Sequence, residues 1–71
     1  MNDKIKGYRE LTQEEIDLIN EVKRVGADLG KLIKRLQTIE DADQRWIVVG
    51  KEDLQRGLMS LTRAIAKPDF C

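Results

Sequence analysis

Lys4–Ile16 reads KIKGYRELTQEEI, and its second half has the features of a helix start. Thr12 can act as the N-cap. Glu15 follows three residues later, where its carboxylate can reach back to the Thr12 amide and complete a capping box. Leu11 and Ile16 flank this box at the spacing of a hydrophobic staple. These residues predict a long helix that starts at Thr12. The staple fixes the angle at which the preceding chain joins this helix.

The first half of the same segment is basic and contains the only tyrosine of the chain, Tyr8. A tyrosine ring between cations can stack on a planar base while its neighbours meet phosphate. The alternative interpretation is a solvated basic tail with one docked aromatic side chain. The residues leave both interpretations open, although a segment joined to a capped helix favours the first.

Length and composition predict one small domain, residues 1–71. A hydrophobic core of this size contributes only ~3–5 kcal/mol to the stability of the fold. The chain has no histidine and one cysteine, Cys71, which excludes an intrachain disulfide and a cysteine–histidine zinc site. A chain without such crosslinks is expected to gain stability by forming a homo-oligomer.

The 13 basic and 13 acidic residues give zero net charge, which argues against a protein that coats DNA. The charges are nevertheless grouped. Residues 10–21 contain five acidic and no basic side chains, and residues 22–36 contain five basic and one acidic. Such basic blocks could form a small anion site, or opposite blocks could pair along packed helices.

The sequence predicts a cytoplasmic protein. No apolar run approaches the ~18 residues of a membrane-spanning helix. No apolar signal-peptide segment follows Met1. The free Cys71 fits a reducing compartment. We therefore expect no membrane partner.

Helical periodicity predicts two long helices, over residues 12–39 and 44–66, and hence an all-α hairpin. The acidic residues 40–44 between them are the clear break, and Asp41 or Asp43 could cap the second helix. A connection this short makes the two helices antiparallel neighbours. Pro68 prevents the second helix from continuing. The apolar face of the first helix is wider than one partner helix can cover, which also indicates contacts between subunits.

Four glycines lie inside the predicted helices, where each costs about 1 kcal/mol relative to alanine. Gly26 and Gly30 are four residues apart, and Gly50 and Gly57 are one heptad apart. Small residues let another backbone, or a ligand, approach closely. Close packing is the more common explanation, whereas a ligand above Gly26 is the more specific one. Trp46 is expected in the core or at an interface.

Catalysis finds little support in the sequence. There is no histidine base, and Cys71 has no apparent partner. Gly7 stands alone, so a glycine-rich phosphate loop is absent. We expect neither an enzyme nor a bound cofactor. Binding chemistry is better supplied: Lys23 could snorkel or bind an anion, and Arg63 could form an interface salt bridge or hold a phosphate.

Four segments, in order and over almost the whole chain, resemble the small bacteriophage sponges that counter CBASS, the cyclic-oligonucleotide-based antiphage signalling defence. The four are Lys4–Glu15 (KIKGYRELTQEE), Glu21–Lys23 (EVK), Asp43–Trp46 (DQRW) and Asp53–Phe70 (DLQRGLMSLTRAIAKPDF). The resemblance implies a short N-terminal helix followed by two long antiparallel helices, assembled into a compact homohexamer. It also implies a protein that works in the cytoplasm of the infected bacterium.

The resemblance implies a ligand as well. Such sponges bind cyclic dinucleotides, such as 3′,3′-cGAMP, between two subunits and sequester them without cleavage. Tyr8 matches the tyrosine that stacks on a base, and Lys23 matches the lysine that meets a phosphate. Gly7, Arg9 and Gly26 are expected beside them. A two-fold interface presenting these residues twice would match the pseudo-symmetry of the ligand.

Some members of the family also bind cyclic trinucleotides near a threefold contact, where Arg63 would line the site. A hydroxyl residue two places after the family lysine contributes to that site, and Val25 occupies its place here. This departure weakens the expectation of trinucleotide binding. Two other functions stay open: a helical hairpin that binds and inhibits a host protein through its apolar faces, and a small nucleic-acid regulator.

Overall fold

The computed structural model describes residues 10–67, which form two helices, α1 (Gln13–Gln37) and α2 (Gln44–Ala66). The helices pack against each other as a hairpin joined by residues 38–43. The predicted all-α hairpin is confirmed. The expected short N-terminal helix falls at least partly on residues 1–9, outside the described residues.

The capping box at the start of α1 forms as predicted. The Glu15 amide donates to Thr12 Oγ1 at 3.2 Å, and the Thr12 amide donates to Glu15 Oε1 at 2.8 Å. The first turn is acidic and the last turn is basic, so both ends complement the helix macrodipole. Leu11 is half-buried, and its staple contact with Ile16 stays a prediction.

The connection is slightly longer than the sequence indicated, because α1 ends at Gln37 rather than at residue 39. The Thr38 hydroxyl donates to the Arg35 carbonyl at 2.6 Å, and the Ile39 amide donates to the Leu36 carbonyl at 3.1 Å. These i to i−3 bonds tighten the chain and end the α-helical pattern.

Asp43, one of the two predicted candidates, is the N-cap of α2. Its carboxylate accepts from the amides of Arg45 at 3.0 Å and Trp46 at 3.3 Å. At the other end, α2 stops at Ala66, two residues before Pro68. Lys67 follows as the C-cap in the left-handed region, with φ of 47°.

The hairpin buries very little. Ile33, 9% exposed, is the one buried side chain among residues 10–67. Trp46, expected in the core or at an interface, is 68% exposed and therefore takes no part in the core of a single hairpin. Twelve large apolar side chains are exposed: Ile16, Leu18, Val25, Leu32, Leu36, Ile39, Trp46, Val48, Val49, Leu54, Met59 and Leu61.

Despite this exposed apolar surface, the described helices carry too many charged residues for either to qualify as a membrane span.

Among the four helical glycines, Gly26 is the one at which the helices approach closely. A Cβ atom built on Gly26 would lie 3.2 Å from Leu58 Cδ1, whereas one built on Gly30, Gly50 or Gly57 would meet nothing within 4 Å. Within the hairpin, close packing therefore explains Gly26 and leaves the other three unexplained.

This difference predicts unequal gains in stability for two alanine substitutions. Gly30→Ala should raise the free energy of unfolding by about 1 kcal/mol, because it improves helix propensity in open space. Gly26→Ala should gain clearly less, because Leu58 must shift to admit the new methyl group. Urea unfolding of both variants at one protein concentration measures the difference. Equal gains would contradict the close approach at Gly26.

Candidate ligand-binding groove

The close approach of Gly26 to Leu58 indicates the register of the hairpin. Because the helices run antiparallel, each step forward along α1 corresponds to one step back along α2. Lys23 then lies level with Leu61, and Arg63 lies two residues further, or ~3 Å along the axis. Two cations that are forty positions apart in sequence thus lie at nearly the same position along the hairpin axis.

Lys23 and Arg63 line one groove between the helices, which we call the Lys23–Arg63 groove. Its volume is about 330 Å³. The other lining residues are small, apolar or hydroxylic: Val22, Gly26, Leu58, Met59, Thr62 and Ala66. The Thr62 hydroxyl donates to the Leu58 carbonyl at 3.1 Å, so its proton is already engaged.

The groove is electropositive. No carboxylate is among its lining residues, and neither Lys23 nor Arg63 makes a side-chain hydrogen bond or ion pair within the described hairpin. Two cations with all their donors available, beside an apolar wall, suit a ligand that combines negative charge with a flat apolar surface.

The remaining predicted site residues divide into two groups. Gly7, Tyr8 and Arg9 lie outside the described residues. Val25, 48% exposed, lines a separate apolar groove together with Leu18, Glu21, Val22, Leu58, Leu61 and Ile65. The hairpin therefore brings Lys23, Gly26 and Arg63 to one groove and leaves Val25 in another.

Sequence reasoning missed Met59 and Thr62 as lining residues. Both lie on the helical repeat that contains Arg63, so periodicity places them near its face. Their position opposite Lys23 depends on the register of the hairpin, which periodicity does not provide. Among residues 10–67, no group of three or more metal-binding side chains lies close enough together to hold a metal ion.

The described residues form a small α-helical hairpin with a groove between its helices that two cationic side chains line. The sequence model of the family described as "Acb2/Tad1, hairpin domain" matches residues 1–66. Anti-CBASS protein 2 of Pseudomonas phage JBD67 is 37% identical, and the match covers 96% of this chain and 94% of that relative. The chain belongs to the Acb2/Tad1 hairpin family.

If the two cations serve a ligand rather than the fold, their removal should cost little stability. Lys23→Gln should change the free energy of unfolding by less than about 0.5 kcal/mol, because lysine and glutamine have similar helix propensities and no described partner is lost. Arg63→Gln should lower it by no more than about 1 kcal/mol, because Arg63 lies in the last turn of α2, where its charge favours the helix macrodipole. Urea unfolding without ligand tests this. A loss above about 1 kcal/mol would assign the cation to the fold instead.

Proposed function

We propose that this protein is a phage anti-CBASS sponge, which binds cyclic dinucleotides such as 3′,3′-cGAMP and sequesters them without cleavage. The observation that carries the proposal is the Lys23–Arg63 groove, which gathers two unpaired cations and no carboxylate. Its support is membership of the Acb2/Tad1 hairpin family and the similarity to a protein named Anti-CBASS protein 2.

The groove residues match the chemistry of such a ligand. The Lys23 ammonium meets a phosphodiester, because a charge-assisted hydrogen bond in a partly dry groove is stronger than a neutral one. Leu58 and Met59 provide an apolar wall for the face of a base. Gly26 also lines the groove, where its lack of a side chain admits Leu58 to the apolar wall. In this proposal Tyr8 stacks on the base, with Gly7 and Arg9 beside it.

The proposed site needs two copies of the chain. At about 330 Å³, the groove of one chain lies at the small end of ligand pockets. A cyclic dinucleotide has two phosphates and two bases in a pseudo-two-fold arrangement, so two grooves that face each other would supply every contact twice. The exposed apolar side chains favour such an assembly, and the compact homohexamer is its proposed form.

Sequestration without cleavage fits the residues present. Hydrolysis of a phosphodiester needs a positioned base or a metal-activated water. The chain has no histidine, and no carboxylate lines the Lys23–Arg63 groove. The proposed activity therefore requires binding alone, by one unit spanning residues 1–71 in the cytoplasm of the infected host.

Cyclic trinucleotides form the second part of the proposal, with Arg63 and Val25 as their lining residues. These two residues line different grooves of one chain. A trinucleotide site that uses both would therefore combine residues of more than one copy.

The test is calorimetric titration of the full-length protein with 3′,3′-cGAMP, followed by denaturation and chromatography of the ligand. We expect saturation near one ligand per two chains and recovery of the intact ligand. Lys23→Gln should weaken binding at least about tenfold, since a hydrogen bond to a charged group contributes ~1.5–3 kcal/mol. Tyr8→Ala should also weaken binding, and Tyr8→Phe, which keeps the ring, should weaken it much less.

Arg24→Gln is the matched control for Lys23→Gln. It removes one positive charge at the neighbouring position, which is not among the lining residues of the groove. Equal losses in Arg24→Gln and Lys23→Gln would reduce the effect to overall charge and contradict the site. Recovery of linear dinucleotide would contradict sequestration. Absence of nucleotide binding, together with capture of a stoichiometric host protein, would instead support the interaction module that the exposed apolar surface also allows.

A further inference from the structure

We propose that the hairpin carries a second nucleotide site, in which three lysines nearer the helix connection bind the diphosphate of a nucleoside diphosphate. The site is a groove between the helices that we call the three-lysine groove, because Lys31, Lys34 and Lys51 line it. This inference does not rest on the proposed sponge function, because none of the three lysines belongs to the Lys23–Arg63 groove.

The register of the hairpin brings the three lysines together. With Gly26 opposite Leu58, Lys51 on α2 lies level with Ile33 on α1, between Lys31 and Lys34. The three Cα positions therefore fall within ~4.5 Å along the hairpin axis. Lys31 is eight residues, or ~12 Å, beyond Lys23 along α1, so the two cationic clusters are separate.

No described acidic side chain forms an ion pair with this cluster. The lining of the three-lysine groove contains no aspartate or glutamate, and none of the three lysines makes an ion pair or side-chain hydrogen bond within residues 10–67. Asp53, which is level with Lys31, pairs with Arg56 at 2.8 Å instead. Three like charges at one height repel each other, and a bound polyanion removes that repulsion.

The charge of the cluster selects the ligand class. Three lysines that line one groove match adjacent phosphates, which carry several negative charges within a few ångströms, better than they match a single phosphodiester. A nucleoside diphosphate combines such a group with a flat base. We therefore assign this class, rather than a second cyclic dinucleotide, to the three-lysine groove.

The apolar floor of the groove can pack against the base of a nucleoside diphosphate. Ile33 is the buried side chain of the hairpin, and Leu54 and Leu58 extend the apolar floor. The amides of Gln37 and Gln55 line the same groove and can exchange hydrogen bonds with base edges. The volume is about 310 Å³, the size of a small-ligand pocket.

Gly30 keeps the groove open. It is among the lining residues, and a Cβ atom at this position would meet no protein atom within 4 Å. Close packing of the two helices therefore does not require a glycine here. A larger side chain at position 30 would fill the groove without displacing either helix.

The experiment is calorimetric titration of the full-length protein with ADP, with inorganic pyrophosphate and adenosine as partial ligands. We expect ADP to bind more tightly than pyrophosphate and adenosine to give no measurable binding. The double variant Lys34→Gln/Lys51→Gln should weaken ADP binding at least tenfold. Gly30→Leu should abolish it while circular dichroism and thermal unfolding show an intact helical protein.

Two controls separate this site from general charge and from the sponge site. Arg35→Gln removes a charge beside Lys34, at a position that is not among the lining residues, and should change ADP affinity less than twofold. Lys23→Gln should also leave ADP affinity within twofold, whether or not it lowers affinity for 3′,3′-cGAMP. ADP binding that is absent, equal to that of pyrophosphate, or lowered equally by Arg35→Gln would overturn the proposal.

Discussion

Two antiparallel helices contact each other along one line, which we call the seam. A single seam covers only one stripe of each helix. In this hairpin the seam buries Ile33 and leaves twelve large apolar side chains exposed. Burying a leucine or valine side chain contributes ~1.5–3 kcal/mol relative to leaving it in water. The described hairpin forgoes most of that contribution. We propose that these side chains are buried further against other copies of the chain, and the proposed two-copy ligand site would use the same assembly.

The pairing of the helices along the seam also determines which charged side chains lie close together. Its register, which the close approach of Gly26 to Leu58 indicates, places Lys23 beside Arg63 and Lys51 between Lys31 and Lys34. None of the residues lining these two grooves is acidic. A chain with zero net charge thus presents two local cationic grooves. Local grouping of this kind attracts phosphates without the general affinity for nucleic acid that a basic protein would have.

Local sequence rules were sufficient for the helices but not for the grooves. Thr12 with Glu15 predicted the start of α1, and Asp43 was one of two predicted caps for α2, because caps depend on neighbouring residues. Periodicity assigned Lys23 and Arg63 to helix faces, yet it could not tell which α2 residue lies opposite which α1 residue. For the same reason it treated four glycines alike, although only Gly26 has a close contact. The predicted contribution of Tyr8 remains a prediction, because Tyr8 lies outside the described residues.

The central claim is that one hairpin is insufficient and that stability comes from association. The most direct measurement is the urea-unfolding midpoint over a wide range of protein concentration, with the mass of the native species measured by sedimentation at each concentration. We predict a midpoint that rises with protein concentration and a native mass that is a multiple of the chain mass, because association stabilises the folded state by mass action. A monomeric species with a midpoint independent of concentration would contradict it.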